Sequence, residues 1–282
     1  MQKLVGMVAI LGALGACAHD QPASSSVAQA QAAPPGKYAL QLKLTAGDVR
    51  RYAVEVNLRV KASANDVPVM DAPAKMTYLD VLQIGSASGD GATEIKERFE
   101  NFQVSGEGQM GEMMKQMMGP MGKIVVTTRV KPDGTVVSTK TDGAEGEMMR
   151  DMARRMGRAK FNNLPKTAVG PGDTWTTEDK EAITVGMGRP AQLVSKSKHT
   201  FVRVEPCGSK QCAVVETDVE LSIGEGGEDV SGAGKGHSSV DVALDDAQPI
   251  KSAGQQELKM QGSQGGQPFE AVQTVSFSAQ LQ

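Results

Sequence analysis

Histidine is nearly absent from this chain: three in 282 residues, and the two in the body, His199 and His237, have no partner at ligand spacing. There is no His-Glu-x-x-His run and no Gly-x-Ser-x-Gly elbow; Gly85-Ser86-Ala87-Ser88-Gly89 puts its serines in the wrong places. Gly232-Ala233-Gly234-Lys235-Gly236 lacks the distant first glycine and the hydroxyl residue after lysine that a phosphate loop needs. It reads instead as the tip of a Gly-rich hairpin loop, Gly224 to Gly236, with His237 closing it and His199 flanking a strand as a bystander. These gaps argue against an enzyme and leave no case for a cofactor or a His/Cys metal centre. Charge is balanced, with 30 Lys and Arg against 33 Asp and Glu for a net −3, so the clustered basic surface that nucleic acid requires is missing. Aromatics are 4% of the chain, with one tryptophan, so the core is built from aliphatic residues and from an unusual 16 methionines.

What is present begins at the start of the chain. Met1-Gln2-Lys3 is a short charged lead, Leu4 to Leu14 an apolar run, and Leu14-Gly15-Ala16-Cys17 follows. A charged start, an apolar middle and small residues before a cut make a secretion address, too short to serve as a membrane span. The cysteine after the small pair resembles the lipobox of bacterial lipoproteins. That resemblance implies cleavage after Ala16 and a Cys17 carrying three acyl chains. At roughly 0.8 kcal/mol per buried CH₂ such an anchor is effectively permanent. Ala18, where an aspartate would signal retention, implies an outer-membrane protein facing the periplasm. Removing residues 1–16 takes Lys3 with it. Ala18 to Gly36, rich in Ala, Gln, Ser and Pro, reads as a tether of roughly 25 Å root-mean-square span.

From Lys37 the dominant signal is period-two alternation. Tyr52, Val54, Val56, Leu58 and Val60 share one face, opposite Arg51, Glu55, Asn57 and Arg59; Val215 to Ile223 and Phe269 to Leu281 behave alike. One buried and one wet face is the habit of antiparallel sheets. With turn signals at Gly89-Asp90-Gly91 and Pro132-Asp133-Gly134, the spacing gives about ten to twelve strands. Ala46-Gly47-Asp48 is echoed by Pro171-Gly172-Asp173, and Thr77 to Val81 by Thr200 to Val204, at offsets near 125 and 123 residues. The echoes suggest two duplicated halves, 37–165 and 166–282, behind a leader (1–16) and a tether (17–36). In that reading Trp175 is a core anchor.

Two segments break the strand pattern. Met110, Met113, Met114, Met117, Met118 and Met121 step along one helical face between Gly106 and Gly122, weakened by Pro120 and several glycines. Met148, Met149, Met152 and Met156 do the same between Ala144 and Phe161, with acidic residues first and Arg154, Arg155, Arg158 and Lys160 last, as a helix dipole favours. Three readings of these methionines stay open. They fill core gaps, they line an adaptable groove for a lipid, acyl chain or hydrophobic partner, or their thioethers bind Cu(I). The basic side, with Arg150, is either a solvated face or a surface for anionic membrane. Cys207 and Cys212 suit a disulfide across a hairpin loop, contributing about 2 kcal/mol by closing so short a loop.

The expected fold is mainly β: a large curved antiparallel sheet or open barrel, with one or two Met-rich helices packed against it. The lipobox, tether, Gly-Asp strand starts and Pro-Asp-Gly hairpin together resemble β-rich bacterial lipoproteins of unknown function. The resemblance covers most of the mature chain, though only the lipobox is a specific motif. In outline the architecture is similar to the half-barrel lipoprotein carriers of the Lol type, whose concave face holds acyl chains, an analogy of shape. The functional expectation is non-catalytic binding of a hydrophobic ligand or an envelope protein by a lipid-anchored protein. Periplasmic Cu(I) binding and a purely structural envelope role are the alternatives.

Overall fold

A computed structural model of the chain describes residues 36–282 apart from 66, 107, 144–148, 151, 155–160, 162, 186–188, 225–229 and 265–266. The leader, Cys17 and the tether up to residue 35 lie outside the described residues. So do Met148, Met156, Arg155, Arg158 and Lys160, and the side chains of Met110, Met113 and Met117.

The described strands are β1 (Val49–Ala64), β2 (Val67–Ala87), β3 (Thr93–Gly106), β4 (Val125–Val130), β5 (Val136–Asp142) and β6 (Thr174–Val185). They continue with β7 (Arg189–Cys207), β8 (Lys210–Gly224), β9 (Val230–Ala243), β10 (Pro249–Gln264) and β11 (Gln267–Leu281). Helix α1 (Gly108–Met118) runs into a 3-10 turn, Gly119–Lys123, where Pro120 ends α-helical bonding, and the described residues 149–150 and 152–154 of the second methionine segment are helical too. All strands join one antiparallel sheet in the order β5-β4-β3-β2-β1-β11-β10-β9-β8-β7-β6. Two meanders therefore meet where the last strand returns to pair with the first. The sheet is curved and does not close; β5 and β6 are its edges.

The expected alternation holds. On β1, Tyr52, Val56, Leu58 and Ala62 are buried while Arg51, Asn57, Arg59 and Lys61 are exposed. The same inward parity on every long strand gives a concave face filled by three apolar clusters along its length.

The glycines of β9 correct the sequence reading. Gly232, Gly234 and Gly236 are not a loop tip; they sit inside β9, registered against Ile223, Leu221 and Val219 of β8. A Cβ added at Gly234 would lie 2.9 Å from Leu258 Cα, and one at Gly236 2.8 Å from Gln256 Cβ. This stripe without side chains lets β8 and β10 lean together, so that Leu221, Ile223, Leu258 and Met260 share one cluster with Ile183 and Ala62. The composition suggested a loop because glycine-rich runs usually are loops. Here alternate glycines mark a bend.

The two Gly-Asp turns share one hydrogen-bond pattern. Gly47 and Asp48 exchange bonds of 2.9 Å with Ile84, while Gly172 and Asp173 bond Phe201 at 2.7 and 2.9 Å. Both glycines have positive φ, 93° and 89°. Phe201 thus matches Ile84 and not Tyr78, which shifts the second echo by six residues. An alternating pattern matches itself at every even slip, so sequence alone does not fix that register. At the far end of β7, Cys207 and Cys212 are disulfide-bonded across the tip of the β7–β8 hairpin, with Cα atoms 5.8 Å apart.

Candidate ligand site in the concave face

The concave face leaves a cavity of about 240 Å³. Strand register builds its walls from two adjacent rows. One runs Tyr78–Val54–Ala279–Ser252–Val240–Val215 across six strands, from β2 to β8. The next runs Phe277–Gly254–Ser238–Thr217–His199–Trp175 from β11 to β6. The first row is mostly apolar. The second turns polar in its middle.

An irregular cap closes one side. The segment following the tether passes over the sheet end and is pinned by backbone bonds: Tyr38 N–H donates to Val169 at 2.7 Å, Leu42 to Pro132 at 2.7 Å and Lys43 to Asp246 at 3.0 Å. Lys37 forms an ion pair with Asp173. Leu40 and Leu42 from this strap, with Phe161, Leu164 and Ala247, supply the apolar cap of the cavity. Exposed Asn163 and half-buried Trp175 also line it, marking where it meets solvent.

Polar groups converge on this apolar space. His199 is 0% exposed. Its Nε2 lies 2.8 Å from Thr177 Oγ1 and its Nδ1 2.9 Å from Thr217 Oγ1. The Trp175 ring stacks on it at 5.2 Å between centroids, and the indole N–H donates to Asn163 O at 3.0 Å. Burial pushes the imidazole pKa down to about 4, because desolvation penalises the cation and no anion offsets it. The ring is therefore neutral at pH 7, and hydroxyls can serve both its donor and its acceptor nitrogen. Arg50 and Asp80, both buried, line the same cavity and give it one cation and one anion. Arg50 donates to Lys43 O at 3.0 Å, tying the strap to β1.

The sequence-derived site residues lie elsewhere. Met114, Met118, Met121 and Met149 are buried in the cluster containing Phe99, Ile124, Val126 and Val275, with Met152 half-buried against it. Among the described residues no methionine lines the cavity; these four pack inside the apolar cluster. Arg150 and Arg154 are exposed. Trp175 packs against the apolar cluster, as expected of a core anchor, and also lines the cavity, where His199 is the most buried polar group. A signal for His199 did exist: in Ser195-Lys196-Ser197-Lys198-His199 the lysines mark the outer face, which puts the histidine inside. His237, on the opposite face, bonds Asp218 at 2.9 Å. Among the described residues no group of three or more His, Cys, Asp or Glu could hold a metal.

No protein-family model matches the chain, and no curated protein matches it either.

Proposed function

We propose that this is a non-catalytic lipoprotein, anchored by Cys17 in the outer membrane and facing the periplasm, that holds a hydrophobic or amphiphilic small molecule in the concave cavity of its sheet. One observation carries the reading: a space of about 240 Å³ with apolar walls and a few convergent polar groups, the composition of a ligand site. For scale, an apolar cavity of about 150 Å³ accepts benzene, so this one suits a ligand segment on the order of ten heavy atoms. A purely structural body gains nothing from the space.

Two further features support the reading. Both nitrogens of His199 are engaged by threonines, so no carboxylate orients the ring for acid–base work. The strap that caps the cavity follows the tether in sequence, and a flexible coil of that length has a root-mean-square span of roughly 25 Å.

The test fills the cavity. Ala279, half-buried between Val54 and Ser252, is replaced by phenylalanine, and binding of N-phenyl-1-naphthylamine to residues 18–282 is followed by dye fluorescence and by energy transfer from Trp175. Saturable binding, weakened tenfold or more in Ala279→Phe at unchanged far-UV circular dichroism, is the expected result. Equal binding by both proteins removes the cavity as the site.

A further inference from the structure

The polar half of the cavity continues past the cavity itself. His199 is followed on the same face of β7 by Ser197 and Ser195, which are 2% and 5% exposed. Strand geometry spaces them about 7 Å apart per pair of residues. Gln256 of β10 stands in the same row as Ser197, through Gly236 and Val219. Ser195 Oγ, Ser197 Oγ and Gln256 Nε2 are all buried and make no hydrogen bond among the described residues. A buried hydroxyl or amide costs free energy until it meets a partner, and three on one stripe point to something polar reaching them.

The cap of the cavity, Leu40, Leu42, Phe161 and Leu164, is apolar. The space is thus graded: hydrocarbon at the cap, hydroxyls and a neutral imidazole at the inner side. Its lining holds one arginine, Arg50, and one aspartate, Asp80, so their formal charges sum to zero.

Resting on the ligand-binding reading above, we infer that the ligand is an amphiphile with an uncharged, hydroxyl- or amide-bearing head. The head sits at Ser238, Thr217 and His199, directed toward Ser197, and the hydrocarbon lies against the Leu40–Leu42 cap. A hydrocarbon alone would leave Ser195, Ser197 and Gln256 without partners. A fatty-acid carboxylate with its head at Ser238, Thr217 and His199 would bring a charge onto a row that contains no cation.

Three ten-carbon competitors distinguish these cases by displacing N-phenyl-1-naphthylamine from residues 18–282, which contain every packed element of the structure. They are monodecanoylglycerol, decanoate and decane, each below its micelle or solubility limit. The inference expects monodecanoylglycerol to compete at least about tenfold better than either of the others. Ser238→Ala should remove most of that advantage, each competitor being scored relative to the variant's own dye affinity, with far-UV circular dichroism as the control for folding. Decanoate or decane competing as well as the glyceride overturns the neutral-head inference and leaves the ligand-binding reading intact. So does a Ser238→Ala variant that weakens all three alike. Failure of the dye itself to bind the wild-type protein overturns both.

Discussion

Acidification tests the burial of His199 through a change in stability of calculable size. The imidazole pKa falls from 6.5 to about 4 on folding because the ring is desolvated with only neutral partners. Between these values the unfolded chain binds a proton that the native chain refuses, so stability rises with pH there and is lost as pH falls. The loss begins near pH 6.5 and is complete below about 4. Its size follows from the pKa difference at about 1.4 kcal/mol per tenfold change in proton affinity, which gives roughly 3 kcal/mol. Against a typical total of about 5–15 kcal/mol this is a large share. Trp175, Thr177 and Thr217, the groups in contact with the ring, do not titrate in this range, and Asp80 and Arg50 are common to any variant. His199→Gln keeps a donor and an acceptor but cannot titrate. Urea unfolding of both proteins at pH 7, 6, 5 and 4, followed by far-UV circular dichroism, isolates the histidine in the difference of their slopes. Wild type should lose about 3 kcal/mol more than the variant. Parallel pH profiles, within about 0.5 kcal/mol, would refute the buried neutral histidine.

Other expectations follow from particular residues. Gly234→Val places a branched side chain where even a Cβ meets Leu258 Cα at 2.9 Å, and should cost about 3 kcal/mol in denaturant unfolding. Gly224→Val, with open space around its Cβ, should be far milder. Met121→Ala, at a fully buried position, should destabilise by about 2–5 kcal/mol, whereas Met121→Leu should cost under about 1.5 kcal/mol. Replacing Met114, Met118 and Met121 together by leucine leaves Cu(I) affinity unchanged if these methionines serve packing, as titration against a chromogenic Cu(I) chelator will report. Removing the Cys207–Cys212 disulfide by a double alanine substitution should cost about 2 kcal/mol and lower Tm by about 4–8 °C in calorimetry.

Much of the fold was legible in the sequence because period-two alternation is set by one-sided burial. Tyr52 to Val60, Val215 to Ile223 and Phe269 to Leu281 could be placed residue by residue. The disulfide was legible for a similar local reason, since a six-residue hairpin brings its own ends together. The site was not legible, because it is assembled by register across strands far apart in sequence. Ser252, Ser238, Thr217 and His199 lie on four strands, and nothing local pairs them. Methionine drew attention by abundance and helical spacing, but a regular stripe is equally what burial against a sheet demands: Met114, Met118, Met121 and Met149 are buried and Met152 half-buried. The β9 glycines misled for a different reason: alternate glycines in a strand look, in composition, like a loop.

The central claim is that the concave cavity is occupied in the cell. Native mass spectrometry of residues 18–282, exported to the periplasm without the lipid anchor and purified without detergent, tests it most directly. A co-purified mass in the range of a small amphiphile, present in wild type and absent or depleted in Ala279→Phe, is the expected result. A clean ligand-free mass for the wild-type protein, with the added dye and the three ten-carbon competitors also failing to bind, would contradict it.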